Sequence, residues 1–367
     1  MKFSCEKAIL LDAAITASRA VSTKSTIQAL EGVLVEVGDR VTFTGYNLET
    51  GIRSSFDAEI TRKGSAVINA RLFADIIRKL PDETVVIEVD ERNMCNIRCG
   101  PSEFNVVTSD TSEFPEMPSV SSGACVKFAQ GVLRDMIGRT VFAVSTSDVK
   151  PVSTGELFEI SGGELTIVAC DGFRLAVMTG ETREGGADAR FIVPGAALRE
   201  VERILGDSDE DVSVRIGERH VMFDFGDTIL VSRTLEGEFI NYRNAIQRDN
   251  RTRVKVSAKE LIQSVERVSL ITNERMRATL RCTFGEDSLS LTCTTALGRA
   301  YDECSAEGGA DIEIGFNHRY LLDALKAVPD EEIMLELGTP ISPCNIMPAE
   351  GTRFTFMVLP VRIRAGE

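Results

Sequence analysis

The sequence predicts an α+β protein made of three tandem domains of one type, and three observations carry that expectation. A helix, a break and a strand recur three times along 367 residues. Other segments, at the openings and closings of each third, keep the same spacing of about 125 residues. The composition, 43% hydrophobic and 26% charged, suits a chain with buried cores, and the length allows two or three domains.

In chain order, the first third opens on FSCEKAILLDAAITASRAV from Phe3, read as a helical stretch, and continues with VLVEVGDRVTFTG (33–45), a hairpin. In RLFADIIRKLPDETVVIEV (71–89), Leu72, Phe73, Ile76, Ile77 and Leu80 form one helical stripe. Pro81-Asp82-Glu83 ends it, and Val85, Ile87 and Val89 alternate as a strand. The second third opens on FAQGVLRDMIGRTVFAV from Phe128. Its copy of the unit is ALREVERILGDSDEDVSVRI (197–216), with Gly206 at the break and Val212, Val214 and Ile216 alternating. The last third opens on VSAKELIQSVERVSLI from Val256, and YLLDALKAVPDEEIMLEL (320–337) repeats the pattern around Pro329. Pro81 and Pro329 are 248 residues apart, twice 124, with Gly206 between them. Phe104, Ile229 and Phe354, each 125 apart, mark equivalent closing strands. The expected domains are 1–120, 126–245 and 253–367, with VSSGACV (120–126) and IQRDNRTR (246–253) as linkers. Like modules in a row are related by a rotation. With each helix pair on one face of its sheet, helices line one side of an arc and strands the other, and a repeated arc can close into a ring.

The bulk properties narrow the function. The net charge of −15 keeps the whole surface from attracting nucleic acid, so any DNA contact needs a local positive face. No run of about 18 apolar residues exists, so no membrane partner is expected. Glu6, Lys7 and Asp12 interrupt the apolar opening, which argues against a signal peptide and for a cytoplasmic protein. Nine cysteines without a C-x-x-C and only two histidines, His220 and His318, argue against zinc. The thiols are read as buried and reduced, with Cys95 and Cys99 on one face of a strand. No cofactor is expected, because no phosphate loop, G-x-G-x-x-G, G-x-S-x-G or H-E-x-x-H occurs.

One stretch invites chemistry: VACDGFRLAV (168–177) sets Cys170, Asp171 and Arg174 side by side. A nucleophilic thiolate needs a base or a lowered pKa. Neither histidine is near in sequence, and Asp171 opposes what Arg174 could do for the thiol. Asp171-Gly172 reads better as a turn in which Gly172 takes a positive φ, with Arg174 holding a rim or a partner.

The segments MKFSCEKAILL, TGYNLETGI (44–52), EFPEMP (113–118), ACDGFRLAV, GEFINYR, LITNERMRATL (270–280), IEIGFNHRYLLDAL (312–325) and FMVLPVRI (356–363) are ordered and spaced as in one family. Through them the whole chain resembles the bacterial DNA polymerase sliding clamps, the β processivity subunits of DNA polymerase III. The resemblance implies the DNA clamp fold, with helices lining an inner face and sheets outside. It further implies a head-to-tail homodimer that closes as a ring around duplex DNA, contacts it without sequence preference, and has no enzymatic activity. The implied partners are the clamp loader, the replicative polymerase, repair polymerases, ligase and mismatch-repair proteins, docking through short apolar peptides.

Carried over by position, the peptide groove between the second and third domains is walled by Ser153, Cys170, Gly172, Phe173, Arg174, Leu175, Ile240, Ala245, Met276, Asn317, Tyr320, Ile341 and the tail Met357, Val358, Leu359, Pro360, Val361 and Arg362. Pro360 cannot donate to a sheet ladder, so the last strand should stop there and leave apolar residues free to line a groove. The chain departs from the family's commonest pattern at Cys170 (threonine), Phe173 (histidine), Ser153 (leucine) and Asn244 (arginine). The implied DNA contacts are Lys24, Arg71, Arg78, Lys150 and Arg203, whereas Gly195 and Ala196 stand at positions usually basic. Arg19, Arg78, Lys79, Arg139, Arg203, Arg267 and Lys326 all fall late in expected helices, where a cation also suits the helix dipole. The implied dimer seam joins Phe104 and Val106 to Leu270 and Ile271, with Pro101 and Glu103 where the family often has basic residues. A hydrolase or transferase built on Cys170, and a three-module scaffold that never meets DNA, are the rival readings.

Overall fold

The computed structural model describes residues 1–183, 188–246, 250–272 and 278–363. Its helices are α1 (Lys7–Ser18), α2 (Ala70–Lys79), α3 (Gln130–Thr140), α4 (Gly195–Ile204), the single turn α5 (Tyr242–Ala245), α6 (Ala258–Ser269) and α7 (His318–Ala327). Each longer helix directly follows a strand. Side-chain caps make that junction at three of them: Asn69 accepts from Leu72 N (3.0 Å), Ser257 from Glu260 N (3.4 Å) and Asn317 from Arg319 N (3.0 Å). The cap satisfies an N–H that no helical carbonyl can reach.

The openings of the thirds correct the sequence reading. Lys2–Glu6, Ala124–Ala129 and Thr252–Ser257 are strands, and the helices start only after them. Phe3 and Cys5 point inward from a strand paired with Thr84–Val89. Their two-residue alternation is too short to stand out beside the helical stripe that follows.

By contacts the chain forms two compact units. One holds 1–131, 183–187 and 200–234. Its five-stranded sheet runs Glu59–Arg62, Lys2–Glu6, Thr84–Val89, Met94–Cys99, Ser102–Val107. Its eight-stranded sheet runs Ala124–Ala129, Asp211–Ile216, His220–Asp224, Thr228–Arg233, Thr50–Phe56, Val41–Tyr46, Gly32–Val37, Gly64–Asn69. The α1 and α2 helices pack on each other and on the sheet. Phe43 meets Phe56 and Phe73 edge-on, with ring centres 5.4 and 5.8 Å away. α1 lies so close that a Cβ at Gly45 would stand 1.9 Å from the Ala17 carbonyl oxygen.

The other unit holds 132–182, 188–199 and 235–367. Its twelve-stranded sheet runs Ala189–Pro194, Gly155–Ser161, Glu164–Cys170, Arg174–Glu181, Phe354–Val358, Cys344–Pro348, Glu332–Leu337, Thr252–Ser257, Gly298–Glu307, Ser288–Thr295, Leu280–Phe284, Ile312–Phe316. The α6 and α7 helices pack against each other.

These units are not the three sequence repeats, since the middle repeat gives four strands to each. Sheets run on through the repeat borders. The closing strand Thr228–Arg233 pairs with Thr50–Phe56 of the first repeat, and Phe354–Val358 pairs with Arg174–Glu181 of the second. The corresponding strand of the first repeat, Ser102–Val107, ends its sheet.

All nine cysteines are free, and eight are buried. Cys125 is the exception to the expected burial. It lies on the edge strand of the eight-stranded sheet, facing away from its buried neighbour Val126. Among the described residues no helix is long and apolar enough to cross a membrane.

Candidate functional site

The turn at 171–174 is built as its residue types require. Gly172 has φ +90°. The Asp171 carboxylate accepts the backbone N–H groups of Phe173 (2.8 Å) and Arg174 (3.0 Å) and the Arg174 side chain (3.1 Å). Asp171 is thus committed to the turn. Cys170 is buried just before it, and burial pushes its thiol pKa up, with Asp171 adding to the rise. A thiol held protonated in this way is a poor nucleophile.

Arg174 is locked on four sides. Besides Asp171 it ion-pairs with Asp323 of α7. Its guanidinium lies 4.7 Å from the Tyr320 ring centre and 5.4 Å from that of Phe142. Such planar stacking suits Arg over any other cation. Phe173, 57% exposed, stacks on the same Tyr320 ring at 5.8 Å. Neither Phe142 nor Asp323 belongs to the residues expected here. Both are distant in sequence and carry no local signal.

Behind the turn, Leu157, Val168, Cys170, Leu175, Val177, Ile192, Phe239, Tyr242 and Met357 form one apolar cluster, with Leu359 and Ile246 against it. Arg174 and Leu175 pair in register with Val358 and Met357, and Leu359 N donates to Phe173 O (2.9 Å). The last strand stops at Val358, two residues before Pro360, and Val361 N then donates to Gly315 O (2.7 Å). Cys170, Gly172, Phe173, Arg174, Leu175, Tyr320 and the tail from Met357 to Leu359 are therefore together.

The remaining expected residues stand around them less tightly. Ile240 is half exposed between buried Phe239 and Tyr242, and Ala245 ends α5. Ser153 follows Val152, which packs on the cluster. Asn317 is spent as the α7 cap. Ile341 is exposed in the loop between Leu337 and Cys344 and is not a member of the apolar cluster, and Arg362 is exposed past Val361. Met276 lies outside the described residues. The cluster thus leaves Phe173, Ile240 and Val361 as exposed apolar groups on a satisfied frame.

The cations expected late in helices are there, and most are already paired. Arg19 meets Glu200, Arg78 Asp75, Arg139 Asp135, Arg203 Glu200, Arg267 Asp302 and Lys326 Glu266. Lys24, Arg71, Lys79 and Lys150 are exposed and make no ion pair among the described residues.

The expected seam residues lie at two free edges. Phe104 is 39% exposed on the outermost strand of the five-stranded sheet, and Val106 packs on the core. Leu270 is 82% exposed at the end of α6, and the Ile271 carbonyl accepts from Thr295 Oγ1 (3.2 Å) beside the strand Gly298–Glu307. Among the described residues that strand pairs on its second side only at Ala306 and Glu307, so its first part has no strand partner there and carries exposed Tyr301.

Family models described as the DNA polymerase III beta subunit match in three parts: the N-terminal domain over residues 1–118, the central domain over 127–241 and the C-terminal domain over 243–362. Beta sliding clamps from Staphylococcus epidermidis and Halalkalibacterium halodurans are 29% and 30% identical, each alignment covering 99% of this chain and 99% and 100% of theirs. Among solved structures, the DNA polymerase sliding clamp of Bacillus subtilis superposes with TM-score 0.95 at 30% identity, covering 99% of this chain and all of the other. A DNA polymerase III beta subunit structure from Eubacterium rectale gives TM-score 0.94 at 31% identity with the same coverage.

Proposed function

The chain belongs to the DNA polymerase III beta subunit family, and on that footing we propose that it is a DNA sliding clamp: a closed ring of two copies around duplex DNA that tethers polymerase and repair proteins. It works in the cytoplasm by topology and contact, without catalysis. The three clamp domains, about 1–120, 126–245 and 253–367, put their helices on the inner face and their sheets outside.

The observation that carries the ring is the pair of free edges. Ile229 faces Arg53, and one period of 125 residues later Phe354 faces Met178. Continued by one more period, the same pairing puts Phe104 of one copy opposite Glu303 of a second, and Val106 opposite Tyr301. The two edges are those of Ser102–Val107 and the first part of Gly298–Glu307. They lie on opposite repeats, so the contact is head to tail, and a two-fold relation between the copies closes it into a ring. Leu270 and Ile271 beside the second edge supply apolar surface to it.

Partners dock at the Phe173–Tyr320 wall and the Met357–Arg362 tail. The frame is rigid because Arg174 is fully engaged, and the exposed groups are apolar, which suits short apolar peptides from several proteins. The implied partners are the clamp loader, replicative and repair polymerases, ligase and mismatch-repair proteins. Lys24, Arg71, Arg78, Lys150 and Arg203 contact phosphate.

The test is topological. The protein is loaded on nicked circular DNA by its loader and the DNA is then linearised. A clamp leaves through the free ends, and retention on linear DNA would refute the ring. Separately, deleting residues 359–367 is expected to abolish peptide binding and spare the dimer. Unchanged peptide affinity would move the docking site elsewhere.

A further inference from the structure

Glu159 serves none of the roles assigned so far, yet three donors converge on its carboxylate. Tyr242 Oη (2.7 Å) and Arg243 (2.7 Å) reach one oxygen and Arg190 (3.0 Å) the other. Arg190 is its cross-strand partner in register. Glu159 and Leu157 are two residues apart on one strand and share a face, and Leu157 belongs to the apolar cluster behind the turn at 171–174. The cluster therefore ends at Glu159. Tyr242 bridges the two regions, with its ring in the cluster and its hydroxyl on the carboxylate. Arg243 lies over that ring at 4.6 Å.

The four-residue α5 cannot hold itself, because a single helical turn does not repay the order it requires. Its internal links are Asn244 N to the Asn241 side chain (3.4 Å) and carbonyl (3.2 Å), and Ile246 N to Tyr242 O (3.1 Å). What ties it to the sheet is Tyr242 and Arg243. Ile240 and Ala245, two expected walls of the peptide groove, flank that tie.

We propose that Glu159 is a positioning residue for partner binding: through Tyr242 and Arg243 it latches the 239–246 segment to the sheet and so holds Ile240 and Ala245 in place for an apolar peptide. The proposal rests on the docking site described above, and the two can fail separately.

The experiment uses the full-length dimer, a fluorescein-labelled hexapeptide rich in Leu and Phe, and amide hydrogen exchange. Glu159→Gln and Tyr242→Phe are each expected to weaken the peptide roughly three- to tenfold. They should speed exchange at 242–246, while the mass of the particle stays that of wild type. The double variant should be no worse than Glu159→Gln alone, since that change already disturbs the carboxylate to which Tyr242 bonds. Phe173→Ala is the control on the wall. If it weakens the peptide while the two latch variants change neither affinity nor exchange, the latch is wrong and the docking site stands. If wild type does not bind the peptide, the docking reading fails, and exchange at 242–246 still decides whether Glu159 holds the segment. Additive effects in the double variant would overturn the coupling.

Discussion

Phe173 shows how one side chain sets the character of the proposed docking wall. It stacks on Tyr320 and leaves most of its face open. Phe173→Ala is expected to weaken an apolar peptide by about 1–2 kcal/mol, roughly five- to thirtyfold, in a fluorescence anisotropy titration. The dimer should be untouched. Glu159 has a pH signature of its own. Burial alone would raise its pKa, but the bonds from Tyr242, Arg243 and Arg190 carry it below the ordinary 4.5. A carboxylate with a lowered folded pKa stabilises above its unfolded value and loses that contribution as pH falls through the folded one. Asp188 lines the same recess and is the other carboxylate there. The stability gap between wild type and Glu159→Gln should therefore stay constant from neutral pH down to about 4.5 and shrink below it. A gap independent of pH down to 3 would show that the charge is not what matters. The burial of Cys170 was expected from the sequence, and the structure buries it.

Among the elements, the helix starts and the sheet edges make the sharpest predictions. Asn69 caps α2 directly after a strand, and Asn69→Ala should cost about 1 kcal/mol, read as a lower denaturant midpoint at unchanged slope. The strand Ser102–Val107 ends its sheet with Phe104 exposed. Phe104→Lys puts a charge on that edge and should shift the particle toward single chains in light scattering. A dimer as tight as wild type would place the seam elsewhere. Periodicity located the helices, because an apolar stripe every three or four residues is a local pattern. It misplaced their starts, because Phe3 to Cys5 holds too few residues to separate a strand from the helix behind it. The latch at Tyr242 was invisible for another reason: its partner is Glu159, 83 residues away.

At the scale of the whole molecule, charge bears on the proposed contact with DNA. The net charge is −15, and six of the cations late in helices already face carboxylates. Lys24→Ala and Arg71→Ala should each flatten the salt dependence of DNA binding by about 0.9 in log–log slope. Arg203→Ala, which breaks a pair with Glu200, should change it less. Equal effects from all three would mean the pairs dissolve on DNA. The triplication, its period and the family resemblance could be read from the amino acids alone, since repeated apolar patterns and local turn residues are written in linear order. Which strands join, how the middle repeat is shared between two sheets, which cations are neutralised and what holds the docking wall were decided only on folding. Each depends on groups scores of residues apart meeting at hydrogen-bond distance, and no local pattern encodes such a meeting.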